Sequence, residues 1–379
     1  MKVVFLSNYF NHHQAPLSDA LWQETEGSYL FIESEVMPEE RRALGCGAEA
    51  RSYVISLKEN RQQAIRAVLE ADVVVAGSAA EWLVRRRVKS GKLLLRYSER
   101  PLKRGREGWK YLPRLLRWHW RNPADKPIYL LCAGGYTAQD YAKFGLFRGK
   151  CYRWGYFPEM ISYDLPELMG KKDALSLLWC GRFVDWKHPE AAVLAVETLK
   201  KEGFPVHLTL IGRGETEEKL RKMTRELGLT EQVSFPGVLD AKGVRQAMEQ
   251  AGIFLFTSGE QEGWGAVLNE AMNSGCAVVA SADAGATPFL IADGENGLVY
   301  PGGDRDALAA KLRYLLENPR EQRRLGTAAY RTVEGQWNAR VAAKRLVALA
   351  QMLTEQTDSG PAFPDGPCSP VTGRKEKEK

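Results

Sequence analysis

Two glutamates, Glu262 and Glu270, stand with seven residues between them in the stretch FLFTSGEQEGWGAVLNEAMNSGCAVVAS. A carboxylate accepts two sugar hydroxyls well, so such a pair can grip two sugar rings on either side of a diphosphate. The residues around them suit that chemistry. A strand ends at Ser258, and a loop with Gly259, Gly263 and Gly265 leads into a helix through about Asn273. The free backbone N–H groups at that helix start, near Gly265, Ala266 and Val267, can hold a phosphate with help from the helix dipole. Alone, the two glutamates favour a surface turn and an exposed helix position. The glycines and the neighbouring segments favour a ligand.

The elements that must position these residues follow from hydropathy. Short apolar runs alternate with helix-period segments. In the first half the runs are KVVFLS, YLFIE, YVISL, DVVVAGS, KLLLRYSE and PIYLLCAG; in the second they are LSLLWCG, VHLTLIG, VSFPG, IFLFTS, CAVVAS and GLVYP. Continuous β-branched runs of this length fit strands buried on both faces. Helical stretches at 60–70, 215–227, 242–251 and 304–318 lie between some of them, which predicts parallel sheets with right-handed crossovers. The pattern restarts near residue 173, after the segment GYFPEMISYDLPELMGKKD, read as an inter-domain linker. The expected organisation is a first domain at 1–172, a second domain at 173–336, a last helix at 337–355 crossing back to the first domain, and a disordered tail at 356–379. The fold class is α/β, with two Rossmann-like doubly wound domains facing a central cleft. Ligands then bind at the carboxyl ends of the strands.

Composition bounds the function. The chain has 379 residues, 44% apolar and 26% charged, so it can bury a sizeable core without disulfide or metal staples. Its six cysteines are dispersed with no CxxC pair, which argues against a zinc site and for reduced thiols. No apolar run approaches a membrane-spanning length, and the start of the chain does not read as a secretory signal. A cytoplasmic location is expected. The net charge of +6 conceals an excess of basic residues in 1–172 and of acidic ones in the remainder. An anionic partner is therefore expected for the first half only.

Several segments, in order, resemble the retaining GT-B glycosyltransferases of family 4, which carry an E-x(7)-E motif. These are GRFVDWKHPE at 181–190, IGRGE at 211–215, VSFPGVL at 233–239, the glutamate stretch itself, and DGENGLVYPGGDRDAL. The opening FLSNYFNHHQAPLSDALW resembles bacterial polysaccharide-biosynthesis members. The resemblance implies that Arg182 and Lys187 contact the donor diphosphate and neutralise it as it leaves. It implies that 1–172 is the acceptor-side domain and 173–336 the nucleotide-sugar-binding domain, that Glu262 binds the transferred hexose, Glu270 the ribose hydroxyls, and Val238 the base. Gly212 and Gly214 would let the backbone approach the nucleotide, and Gly263, Trp264, Gly265, Ala266 and Val267 would complete that side. The chain departs from the family in SADAGATPFLI, where two glycines and a glutamate are common, and in RYSERP, where a histidine is common. Glu99, or His12 and His13 in the loop after the first strand, are the candidates for the acceptor or sugar side.

Other patterns yield to simpler readings. Asp304 and Asp306 form a D-x-D, but they open a helix, where aspartate is a good cap; no metal and no cofactor are expected. GRGETE lacks the third glycine of a dinucleotide fingerprint. Residues 85–121 hold 14 Lys and Arg against Glu99 and Glu107. Within them LPRLLRWHWR forms an amphipathic helix, with Arg114, Arg117 and Arg121 on one side and Leu112, Leu115, Leu116 and Trp120 on the other. This is either a packed helix with a solvated basic face or a peripheral attachment to an anionic membrane surface; no nucleic-acid recognition motif accompanies it. The expected function is transfer of a sugar, with retention, from a UDP-sugar to a glycan or lipid-linked acceptor in polysaccharide biosynthesis. A nucleotide-sugar epimerase on the same fold and a non-catalytic nucleotide-sugar-binding protein are the alternatives.

Overall fold

Each apolar run coincides with a strand in the structure, a computed structural model that describes residues 1–39, 47–103, 111–355 and 363–371. Side chains of Tyr111, Leu112 and Arg114 are outside that description, as are Cys46 and Trp109. The chain divides into two units, Met1–Glu159 with Asn338–Lys379, and Met160–Trp337.

The first unit is built on seven parallel strands: β1 (Val3–Ser7), β2 (Tyr29–Glu33), β3 (Val54–Ser56), β4 (Val73–Ala76), β5 (Leu94–Glu99), β6 (Ile128–Ala133) and β7 (Cys151–Trp154). Their order is β3-β2-β1-β4-β5-β6-β7. The central β1 and β4 are buried along their whole length, as a parallel strand covered on both faces must be. Helix Ala15–Glu24 packs against the last helix, Ala339–Glu355, within this unit. Arg87 is fully buried between strands and helix and donates to the carbonyls of Val68, Ala71, Asp72 and Leu93. It is therefore an internal tie rather than part of the basic surface.

The second unit has six parallel strands: β8 (Asp173–Cys180), β9 (His207–Ile211), β10 (Val233–Gly237), β11 (Ala251–Phe256), β12 (Ala277–Ser281) and β13 (Leu298–Tyr300), in the order β10-β9-β8-β11-β12-β13. Renumbered from its own first strand, that order is 3-2-1-4-5-6, the doubly wound Rossmann arrangement, and the first six strands of unit one follow it too. The order reverses between β8 and β11, so a crevice opens beyond their carboxyl ends. One large core fills the space between this sheet and helices Pro189–Lys201 and Arg305–Glu317, with Trp179, Phe183, Leu210, Val279 and Leu312 at its centre.

Four sequence expectations change. The boundary falls at Glu159 rather than at 172, because the next residues are tied into the second unit: Asn273 bonds both the N–H and the carbonyl of Ile161, and Tyr163 donates to Glu249 at 2.7 Å. Trp337 is not the start of the last helix. It is fully buried in the second unit, stacked on Phe289. Within the tail expected to be disordered, the described residues 363–371 are placed, and 368–371 lie along β7, with Cys368 N–H to Arg153 O and Arg153 N–H to Ser369 O both at 2.8 Å. Cys368 and Ser369 are buried there, covering an open sheet edge. Finally, the helix Tyr111–Arg121 is rotated from the predicted apolar side. Trp118 packs on Tyr141 and Phe144, and His119 bonds the Phe144 carbonyl, which turns Leu116 and Trp120 outward, 64% and 57% exposed.

Candidate active site

The loop after β8 carries the first functional side chains. Gly181 and Arg182 leave the strand, Phe183 plugs the core, and a short 3-10 turn, Asp185–Lys187, sets up Lys187 before helix Pro189–Lys201. That path requires the glycines of the neighbouring loop. A Cβ on Gly212 would stand 1.9 Å from the Gly181 carbonyl oxygen, and one on Gly214 would stand 2.2 Å from that of Phe183. The close approach that selects these two glycines is thus between two protein backbones. Phe183 N–H also bonds the Arg213 carbonyl at 2.9 Å, which fixes the β8 loop against the β9 loop.

The loop after β11 brings the carboxylate. Thr257 accepts from Trp179 Nε1 at 2.8 Å and donates to the Lys187 carbonyl at 2.7 Å, so one hydroxyl ties β8, its following turn and β11 together. Gly259 N–H adds a bond to the Trp186 carbonyl at 2.9 Å. Glu262 is buried and Lys187 nearly so; Lys187 Nζ donates to Glu262 Oε2, which also accepts from Ser258 Oγ at 3.2 Å. Arg182 is exposed, and its guanidinium and the Lys187 ammonium lie 5.8 and 4.9 Å from the Trp186 ring centre. Two cations and a carboxylate therefore converge where strand order reverses.

Helix Ala266–Asn273 completes the arrangement. Its cap, Gly265, has φ +93°, and a Cβ there would collide with the Phe256 ring. The N-cap Gly265 makes no side-chain capping bond, so the N–H groups near Ala266 and Val267 are without that partner at the helix start. Glu270 lies one turn further along. Burial pushes its carboxyl above the ordinary range, against the pull of Arg245. Its charge, after burial, helps push the Cys180 thiol at the end of β8 up to about 12, while Lys187 acts the other way. Cys180 thus lies within electrostatic reach of both Glu270 and Lys187.

Not every predicted residue joins this group. Trp264 is a core residue: it is fully buried, donates to Asn269 Oδ1 at 2.8 Å and packs on Phe289 and Trp337. The indole is thereby excluded from ligand contact, a correction to the sequence reading. Val238 is 58% exposed beyond the edge strand β10, two strands from β8. Gly263 supports the loop, since its carbonyl would lie 1.9 Å from a Cβ on Gly285, and Gly285 N–H bonds the Glu262 carbonyl at 3.0 Å. The variant segment SADAGATPFLI therefore braces the Glu262 loop. Asp304 accepts from Ala307 N–H at 2.9 Å as the cap of its helix.

His12, His13 and Glu99 belong to the first unit. The two imidazoles face each other at 3.9 Å, and burial, with His12, lowers His13 to about 4. Glu99, at the end of β5, accepts from the Tyr156 hydroxyl at 2.9 Å and pairs with Lys103. Sequence reasoning missed Trp179, Thr257, Ser258 and Gly285. Only the Thr-Ser pair at the end of an apolar strand, where a switch-point ligand is expected, could have pointed to two of them.

Comparison with known proteins supplies independent findings. Residues 167–332 match the family described as Glycosyl transferases group 1. The chain is 30% identical over 206 residues to the amylovoran biosynthesis glycosyltransferase AmsK of Erwinia amylovora, covering 53% of this chain and 50% of that one. It is 36% identical over 155 residues to a phosphatidyl-myo-inositol mannosyltransferase of Mycobacterium leprae, covering 40% of each. These matches span half or less of the relatives' length. Among solved structures, Alr3699/HepE of Anabaena in complex with UDP superposes with a TM-score of 0.68 at 16% identity, over 94% of this chain and all of that one. This likeness establishes the fold as GT-B, two Rossmann-like α/β units.

Proposed function

We propose that this chain, whose second unit carries the Glycosyl transferases group 1 segment, is a retaining glycosyltransferase of family 4. It moves a sugar from a UDP-sugar to a glycan or lipid-linked acceptor in the biosynthesis of a cell-surface polysaccharide or glycolipid. The observation that carries the reading is the meeting of Lys187 and Glu262 at the ends of β8 and β11, beside an uncapped helix start. The UDP in the Anabaena complex supports the donor class, and the amylovoran biosynthesis and phosphatidyl-myo-inositol of the relatives' names support the acceptor class.

In this reading Lys187 and Arg182 neutralise the diphosphate as its charge develops, in a site where the cations need no reorganisation. The N–H groups near Gly265, Ala266 and Val267 add oriented dipoles on the same group. Glu270 holds the ribose hydroxyls, and Glu262 holds Lys187 with one oxygen and a hexose hydroxyl with the other. Gly212 and Gly214 keep the β8 loop close, and Val238 lines the base. His12, His13 or Glu99 serve the acceptor or sugar side. No metal or cofactor takes part. The protein works in the cytoplasm. The test is a panel of nucleotide sugars with purified protein, read as donor hydrolysis and as transfer with retention at the anomeric carbon. Binding without turnover, or conversion of the donor sugar with no acceptor, would overturn it.

A further inference from the structure

Three of the large apolar side chains left exposed on this molecule, Trp82, Leu116 and Trp120, occur on two helices of the first unit, Glu81–Lys89 and Tyr111–Arg121. They are linked through cations. Arg85 lies over the Trp120 ring at 3.3 Å, and Arg61 and Arg86 lie over the Trp82 ring at 5.1 and 5.5 Å. Trp82 and Arg85 are one turn apart on one helix, as are Leu116 and Trp120 on the other, so the contacts run as one continuous surface. The inward side of the first helix is Leu83, Val84, Arg87 and Val88, which leaves Trp82, Arg86 and Lys89 outward. Arg117 is exposed beside Leu116. The nearby carboxylate, Glu81, is already taken up by Arg96 at 2.9 Å and Arg121 at 3.7 Å, so among the described residues it is not the partner of the outward cations.

We propose that this surface docks the first unit on an anionic lipid bilayer. The two indoles and Leu116 enter the headgroup region, and Arg61, Arg85, Arg86 and Arg117 meet the lipid phosphates. An exposed indole under a guanidinium is suited to that boundary, where the ring is half-dry and the cation faces anionic oxygens. A solvated basic face explains the arginines but not three large apolar groups turned outward among them. Long-range attraction to the anionic leaflet supplies the approach, and the apolar groups supply contact that salt does not screen. This docking does not depend on the sugar-transfer reading.

The experiment is co-sedimentation of the whole chain with vesicles of phosphatidylcholine alone or with one-third phosphatidylglycerol. The expected result is binding to the anionic vesicles alone, weakened but not abolished in 0.5 M salt. The Arg86→Glu, Arg117→Glu variant is expected to lower the partition coefficient by roughly several hundredfold, since each reversal moves two charges and each charge near such a surface is worth roughly fivefold. The Leu116→Ser, Trp120→Ser variant is expected to remove the salt-resistant part. Both changes are at exposed positions, and unchanged thermal unfolding shows that the fold is kept. Equal binding by the wild type and both variants, no binding at low salt, or preference for single-stranded RNA over the vesicles would each overturn the proposal. Donor hydrolysis, measured alongside, tests the sugar-transfer reading separately.

Discussion

The Thr257 hydroxyl donates to the Lys187 carbonyl at 2.7 Å while accepting the indole N–H of Trp179 at 2.8 Å. Thr257 and Trp179 are both buried, so neither bond can be replaced by water without a rearrangement. The hydroxyl therefore sets the height of the Lys187 backbone over the end of β11. Thr257→Val keeps the shape and leaves the buried Trp179 N–H without its partner, at about 1–3 kcal/mol, and removes the tie to the part-buried Lys187 carbonyl. Donor turnover is expected to fall at least tenfold, and Thr257→Ser is expected to restore most of it. Equal turnover in the Val and Ser variants, measured where both are folded, would remove Thr257 from the account of Lys187.

Lys187 and Arg182 are assigned to the departing diphosphate. By analogy with lost oxyanion donors, Lys187→Met and Arg182→Met are each expected to lower turnover by about two to three orders of magnitude. Because Lys187 is also the partner of buried Glu262, Lys187→Met carries an additional cost in stability that the exposed Arg182 does not. Comparing the two by thermal unfolding and by donor hydrolysis separates the roles. A Lys187 variant with full turnover would contradict the assignment.

Sheets were legible in the sequence because strands buried on both faces must be largely apolar: β4 and β11 are so throughout, β1 up to its last residue, and β8 over its buried stretch Leu177–Trp179. The exception, β7, is four residues long and alternates; it pairs with β6, and its open edge is covered by residues 368–371, which no local pattern announces. The placement of Glu262 and Gly265 in the loop after β11 was legible from the glycines that follow an apolar run, whereas Lys187, in the turn after β8, was singled out by the resemblance. Trp264 was misplaced because an aromatic between two glycines reads as a surface group, whereas here the positive φ of Gly265 coincides with an indole fully buried against Phe289 and Trp337. The purpose of Gly212 was legible only in three dimensions, since Gly181 lies on another strand. The rotation of the 111–121 helix was hidden because its hydrophobic pattern offers two sides, and only Tyr141 and Phe144 select Trp118 for the inner one.

Glu270 makes a pH-dependent prediction. Burial raises its folded pKa above the ordinary 4.5. The native state then binds a proton more readily than the unfolded chain, so this residue's contribution to stability falls as pH rises from about 4.5 through the raised value. Glu270→Gln is expected to stabilise the protein at pH 7, and that gain is expected to disappear in acid below pH 4.5. The same change should weaken nucleoside diphosphate binding about tenfold to a hundredfold at pH 7, through loss of charge-assisted bonds to ribose. Calorimetry showing unchanged UDP affinity would sink the ribose assignment while leaving the stability prediction intact.

His13 works in the opposite direction. Its folded pKa is lowered to about 4, with burial as the larger cause and His12 the smaller. Below its ordinary value of 6.5 the unfolded chain takes up a proton that the native state refuses. Stability from this residue is therefore full above pH 6.5 and is lost as pH falls towards 4. The imidazole is expected to stay neutral in an NMR titration down to about pH 4, and His13→Gln should flatten the acid limb of the stability curve. A His13 titration near 6.5 would show the ring to be solvated.

Asp304 decides between a helix cap and a metal ligand. Its carboxylate accepts the Ala307 N–H at 2.9 Å, the bond an N-cap makes to the third residue of its helix. Helix Arg305–Glu317 buries Leu308, Leu312 and Leu315 in the core of the second unit, so weakening its start affects the whole unit. Asp304→Ala is expected to cost about 1 kcal/mol in unfolding free energy and to leave donor turnover within about twofold. Asp304→Ser, which can still cap, is expected to recover most of the loss. Asp306, in the first turn, contributes mainly through the helix dipole, so Asp306→Asn should cost no more than about 0.5 kcal/mol. Treatment with EDTA is expected to change neither turnover nor unfolding. Loss of activity in EDTA, restored by manganese and absent in Asp304→Ser, would instead make the D-x-D a cation site and overturn the capping assignment.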